Sequence, residues 1–247
     1  LAPLREIVSL SLTRSKENQR RILLVKKSGT KLCIALMFSV LFFSACNEKP
    51  SDTSSKNANA NAPKDSTAKT GVKPQADDQV AVIDTADYGR IVIELYPNVA
   101  PKMVERFKKL INEHFYDGTA VHRVDPGLGI IQGGDPLTKG NNTAVYGTGN
   151  SPYPNVPAEF SDIPYERGTL GAARTNDING ANCQWFITLK KQPAFDKKYT
   201  VFGRVIDGVN NAEVIMNAPT DQGSPRPSDK VVIKSVTLQP RANFPAQ

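Results

Sequence analysis

An arginine and a glutamine nine residues apart, Arg123 and Gln132, are the side chains in this sequence best suited to holding a peptide group. They sit in residues 119–136, TAVHRVDPGLGIIQGGDP. Val121 and Val124 alternate with polar His122 and Arg123, then a Pro-Gly turn leads to Leu128, Ile130, Ile131 and Gln132. Short alternating runs bounded by Pro and Gly read as two antiparallel strands and a turn. An Arg and a Gln on adjacent strands can face the same side of a sheet. A fixed guanidinium beside a neutral amide can bind a peptide carbonyl and nitrogen. From this stretch alone, a surface Arg paired with a carboxylate is the competing account.

Two further stretches carry candidate residues. Residues 168–189 read GTLGAARTNDINGANCQWFITL: a small-residue strand, a polar loop, then a strand with Gln184, Trp185 and Phe186. Residues 195–205 read FDKKYTVFGRV. Taken in order, HRV…PG…IIQGGDP, GTLGAART…QWFIT and FDKKYTVFGRV resemble the cyclophilins, the peptidyl-prolyl cis-trans isomerase family, over residues 80–239.

The resemblance implies a mainly β fold, a closed eight-stranded antiparallel β-barrel capped by two α-helices. It implies an enzyme that accelerates X-Pro isomerisation; with the N-terminal leader read below, its expected substrates are exported proteins, whose folding it assists. By the same resemblance Arg123 is the catalytic arginine, and Gln132 supports it and contacts substrate backbone. Phe186 is the aromatic floor of a proline pocket, and Phe202 closes the ring pocket. Ala173 and Gln184 hold backbone and line the pocket. Tyr199 falls where the family has His or Tyr. His122 precedes the arginine as in many members, and either a substrate role or a strand-supporting role fits it. No cofactor and no metal is implied, and the partners are proline-containing polypeptides.

This sequence departs from the family pattern at three points. The turn 126–132 is one residue longer than usual and lacks its aromatic wall, so Leu128 or Ile130 is expected to replace it. Arg174 stands where Asn is frequent, a change that a backbone contact survives. Ala194 occupies the position of a Trp found in cyclosporin-sensitive members, which implies weak cyclosporin binding. The altered wall supports an alternative reading, a non-catalytic membrane-tethered proline-peptide-binding module or chaperone. Substituting Arg123 separates the two, since only a catalyst should lose turnover.

The elements that must position these residues can be read from periodicity. Residues 80–84 and 90–96 are strand-like. Residues 100–113 read as a helix with Met103, Val104, Phe107, Leu110 and Ile111 on one apolar face, and Pro101 suits its first turn. His114 follows as a helix-end residue. The irregular, Gly- and Asn-rich residues 137–165 are expected along the rim of the site. Residues 208–217 read as a second helix, with Val209, Ala212, Val214, Ile215 and Met216 apolar, and 230–239 as a closing strand. Trp185 points away from Phe186 along its strand and is expected in the core. Gly133-Gly134 is not a phosphate loop, because no GK[ST] follows it.

Composition bounds the rest. Of 31 Lys and Arg and 24 Asp and Glu, residues 1–45 hold eight and two, so the remainder carries 23 and 22, a net +1. That balance disfavours a nucleic-acid partner. The two histidines and three scattered cysteines offer no zinc set. Residues 1–45 read as an N-terminal extension and signal peptide, with the translation start expected near Leu24 or Val25. Lys26, Lys27 and Lys31 precede an apolar run of 14 residues, 32–45, shorter than the roughly 20 needed to span a bilayer. The run ends Phe43-Ser44-Ala45-Cys46, which resembles a bacterial lipobox, with Phe43 in place of the usual Leu. Cys46 is then the lipidation site, anchoring the protein in the cell envelope with its domain facing the periplasm or exterior. An ordinary signal peptide is the alternative. Residues 46–78 read as a flexible low-complexity tether, too poor in apolar side chains to offset ordering entropy. Residues 79–247 form the cyclophilin-like domain, with a monomer expected.

Overall fold

The computed structural model describes residues 68–245. Nine strands form one sheet: β1 (Gln79–Thr85), β2 (Arg90–Leu95), β3 (Ala120–Val121), β4 (Arg123–Asp125), β5 (Ile130–Gly133), β6 (Thr169–Ala172), β7 (Trp185–Thr188), β8 (Val201–Asp207) and β9 (Val231–Pro240). Their order is β3-β9-β1-β2-β8-β6-β7-β5-β4, and the named strand pairs are antiparallel. The two ends of this order, β3 and β4, are separated in the chain by His122 alone. The sheet therefore returns on itself as a nearly closed barrel. The count is nine, not the expected eight, because residues 120–125 form one strand broken in two. At the break, the His122 and Arg123 positions both face Gln132: His122 N–H donates to the Gln132 carbonyl while Arg123 is its register partner. One extra residue on one strand is a bulge.

Alternation decides what lies inside. Ala81, Ile83, Ile91, Ile93, Val124, Ile131, Leu170, Ile187 and Phe202 point into the main core. Helix α1 (Pro101–Asn112) places Met103, Val104, Phe107, Leu110 and Ile111 against that core. Phe107 meets Phe202 edge-on at 5.4 Å and lies tilted against Tyr116 at 5.3 Å. Helix α2 (Val209–Met216) buries Ala212 and Ile215, whereas the apolar Val214 is 59% exposed. Phe202 was expected to close the ring pocket. It is instead fully buried in the main core, because Val201 faces outward and a strand alternates.

The N-cap residue of helix α1, Ala100, makes no side-chain capping hydrogen bond. Its first amides, Lys102 N–H and Met103 N–H, donate to the Glu159 carboxylate at 3.1 and 3.0 Å. A carboxylate there satisfies orphan donors and opposes the helix dipole.

The domain begins earlier than the expected residue 79. Residues 69–78, read from composition as tether, lie along the barrel. Lys69 N–H donates to the Phe160 carbonyl at 2.9 Å, its carbonyl accepts from Asp162 N–H at 2.9 Å, and its ammonium reaches the Val99 carbonyl at 2.8 Å. Gly71, Lys73, Gln75 and Asp77 bond to Asp162, Asn98, Asn98 and Leu95. Mostly main-chain bonds hold this strap, and hydropathy does not register them. The expected leader, Cys46 and the earlier tether lie outside the described residues.

Replacing Phe202 with Ala is expected to lower unfolding free energy by about 3–5 kcal/mol, the usual cost of emptying a buried aromatic site. Urea denaturation reads this. A change below about 1 kcal/mol would contradict its central place in the core.

Candidate active site

Four neighbouring strands build the site through register. Arg123 on β4 pairs with Gln132 on β5, Gln132 with Phe186 on β7, and Phe186 with Gly171 on β6. Residues directly opposite share a face, so Arg123, Gln132 and Phe186 form a row on the outside of the barrel. At one strand spacing per step, Arg123 and Phe186 stand about 10 Å apart. The neighbouring row, Val124, Ile131, Ile187 and Leu170, points inward.

The row ends on an aromatic floor. Phe186 stacks on Tyr165 at 5.5 Å and meets Phe195 and Tyr199 edge-on at 5.6 and 5.5 Å. Ile130, Val201, Tyr96 and Val99 complete a second hydrophobic cluster, with Ala173 packed against it. Gly171 makes room for the Phe186 ring, which a Cβ there would strike. On the inner face, Gly133 does the same for Trp185, whose ring lies 2.7 Å from where a Cβ would sit. Trp185 is thus core, as its strand position requires.

Buried polar side chains pin the rim. Asp135 accepts from Leu137 N–H at 2.8 Å and from Gly147 N–H. Asn182 accepts from Ser151 and donates to the Tyr153 carbonyl. Gln184 donates to the Gly147 and Gly149 carbonyls at 3.0 and 2.9 Å and accepts from Gln132 Nε2 at 3.1 Å. Gln184 is therefore a rim fastener as well as a lining residue. Between this rim and residues 173–175 lies a polar cleft of about 280 Å³.

Several expected residues lie elsewhere or act differently. The Arg123 guanidinium is bonded to Asp125 Oδ2 at 3.1 Å, whereas Gln132 bonds to Gln184, so the support expected from Gln132 comes from Asp125. Asp125 Oδ1 also accepts from Leu128 N–H at 2.9 Å and so ties the arginine to the lengthened turn. Leu128 is 37% exposed at that turn, whereas Ile130 is 3% exposed within the aromatic cluster. Arg174 lies over the Tyr199 ring, 4.6 Å from its centroid. Phe195 and Tyr165 were missed. Phe195 opens the FDKKYTVF run and could have been found there, but Tyr165 lies in an irregular stretch with no periodicity to mark it.

The model of the "Cyclophilin type peptidyl-prolyl cis-trans isomerase/CLD" family matches residues 80–238. The chain belongs to the cyclophilin family of peptidyl-prolyl cis-trans isomerases. It is 40% identical over 162 residues to a probable peptidyl-prolyl cis-trans isomerase of Brucella suis, covering 64% of this chain and 82% of that protein. It is 36% identical to peptidyl-prolyl cis-trans isomerase-like 3 of Gallus gallus, covering 96% of it. A cyclophilin type isomerase of Cryptosporidium parvum superposes with a TM-score of 0.58 at 30% identity, over 65% of this chain and 97% of that one.

In this cyclophilin, His122 stands off the aromatic floor. The bulge turns its ring toward Gly147 and a separate small cavity with Tyr146 and Arg226. It is 7% exposed, and neither ring nitrogen has a hydrogen-bond partner of good geometry. Burial pushes the imidazole below its usual range, with Asp135 pulling the other way. Cys183 is buried beneath the rim, and its thiol is pushed up to about 12, which keeps it unreactive.

Because His122 is held neutral, its linkage to folding has a definite sign. The unfolded chain takes up the proton first, so stability is full above pH 6.5 and falls as pH drops below it. The His122→Gln variant is expected to show a shallower acid limb in urea titrations between about pH 7.5 and 5. An unchanged limb would assign that loss to another group.

Proposed function

We propose that Arg123 drives X-Pro rotation by donating to the prolyl nitrogen as it twists out of conjugation. The barrier to that rotation is about 18–20 kcal/mol, because the nitrogen lone pair is shared with the carbonyl. Once twisted, the nitrogen is pyramidal and basic. A donor aimed at it stabilises the twisted state more than either planar isomer. Neither nucleophile nor cofactor is required. The remaining Arg123 N–H groups, those not taken by Asp125, are the donors. The proline ring rests on Phe186 and Phe195, and the Gln132 amide and the Ala173 main chain hold the flanking peptide. The observation that carries this reading is the single register row that faces a guanidinium toward an aromatic floor about 10 Å away. The related Cryptosporidium parvum protein has been crystallised in the presence of the dipeptide Ala-Pro, in keeping with a prolyl ligand here.

The substrates in this reading are exported polypeptides, and the enzyme is a monomer lipidated at Cys46 in the cell envelope. Support comes from the sequence: a positive stretch, a short apolar run and small residues before a cysteine. An acylated cysteine attaches a protein because each buried methylene contributes about 0.8 kcal/mol.

Arg123→Ala is expected to reduce kcat/KM on a short X-Pro peptide by about 10²–10³-fold, the scale for removing one transition-state donor, with the fold intact by circular dichroism. If wild type and variant accelerate exchange equally, the arginine mechanism fails. If neither does, the non-catalytic binding reading replaces it. Cys46→Ser is expected to move the protein from the membrane fraction to the soluble envelope fraction and to abolish labelling by a fatty-acid analogue. Unchanged labelling would refute the anchor.

A further inference from the structure

We propose that the polar cleft beside the aromatic floor selects substrates with an acidic side chain next to the X-Pro bond, and that Arg174 makes the selection. This deepens the isomerase reading and rests on it. The cleft has the size of a side-chain pocket, about 280 Å³, and opens directly beside Gln132 and Ala173. Gln132, Thr148, Thr175, Asn182 and Gln184 give it neutral polar walls, and Arg174 is its one charged lining residue among the described residues.

Arg174 is held rigidly, and only by neutral groups. Its Nε and Nη2 donate to the Lys198 carbonyl at 3.3 and 2.9 Å, and its Nη1 donates to the Thr175 carbonyl at 2.8 Å. Its guanidinium lies over the Tyr199 ring. It takes part in none of the ion pairs among the described residues. The positive charge is therefore uncompensated, while the side chain is already ordered. An immobilised guanidinium with N–H groups to spare suits a carboxylate and loses little entropy on binding one.

The surroundings reinforce the sign. Lys190, Lys197 and Lys198 are exposed on the loop that borders the floor, and none of them is ion-paired among the described residues. Of the nearby carboxylates, Asp125 and Glu166 are paired with Arg123 and Lys191. Asp196 and Asp177 accept only main-chain N–H groups, from Tyr165 and Asn179, so they keep their charge and offset part, but not all, of that of the three lysines and Arg174. A peptide approaching the floor therefore meets a net positive field whose one immobilised charge, the Arg174 guanidinium over Tyr199, borders the cleft.

The test uses the full chain and matched peptides with one Ala-Pro bond, carrying Glu, Gln or Lys at single positions on either side of it. Both kcat/KM and peptide affinity are measured. At low salt, at least one position is expected to favour Glu over Gln by about fivefold and to disfavour Lys, the scale of an exposed ion pair. The preference should fade at high salt. Arg174→Gln should abolish it, Arg174→Lys should retain part of it, and Arg174→Glu should invert it in favour of Lys. A structural role for Arg174 would change rates for all three peptides alike. No charge preference at any position, or a preference unchanged in Arg174→Glu, overturns the proposal. The Gln peptide is the control for the isomerase reading: if its exchange is not accelerated, that reading fails, while the charge preference is still read from the affinities.

Discussion

The structure depends on register in four strands. β4, β5, β7 and β6 send one set of alternate side chains into the core that fills the barrel and the other set outside it, where Ile130 of β5 and Phe186 of β7 join the aromatic floor. A shift by one residue would exchange the two sets. Val124, Ile131 and Ile187 would then face solvent, and Arg123, Gln132 and Phe186 would face the core. The stability of the barrel and the geometry of the site are thus fixed by one constraint. Glycines at 133 and 171 enforce it, because each leaves space on one face only for a ring of β7.

Polar groups set what the sheet cannot. The long segment after β5 has little regular structure, yet Asp135, Asn182 and Gln184 fasten it to the ends of β5 and β7. Buried polar groups of this kind are costly when unpaired and rigid when paired. Here they are paired, and the rim becomes a wall. The Arg123–Asp125 bond belongs to the same logic, since the carboxylate that caps the lengthened turn also orients the guanidinium.

Legibility in the sequence followed periodicity. The apolar face of α1 came from a 3.6-residue repeat, and the core place of Trp185 came from alternation once the motif resemblance had put Phe186 on the pocket side. Phe202 was misassigned because its place in a motif was given more weight than its parity with Val201. The strap 69–78 was read as tether because main-chain hydrogen bonds leave no hydropathy signal. The split at His122 was invisible because a bulge adds a residue without changing composition. The Asp125 pairing was in view as the bland alternative for an exposed arginine, and it holds together with the residue's place in the site. Tyr165 had no signal at all.

The distant cap on α1 bears on how the chain reaches this state. The helix begins without a local cap, and its first two free amides find their acceptor on Glu159, 57 and 56 residues away. Closing so long a loop costs entropy that a local cap would not, and contacts of wide sequence separation slow folding. The capping of α1 is therefore complete only when the rim segment has docked, so the start of the helix and the wall of the site are stabilised together.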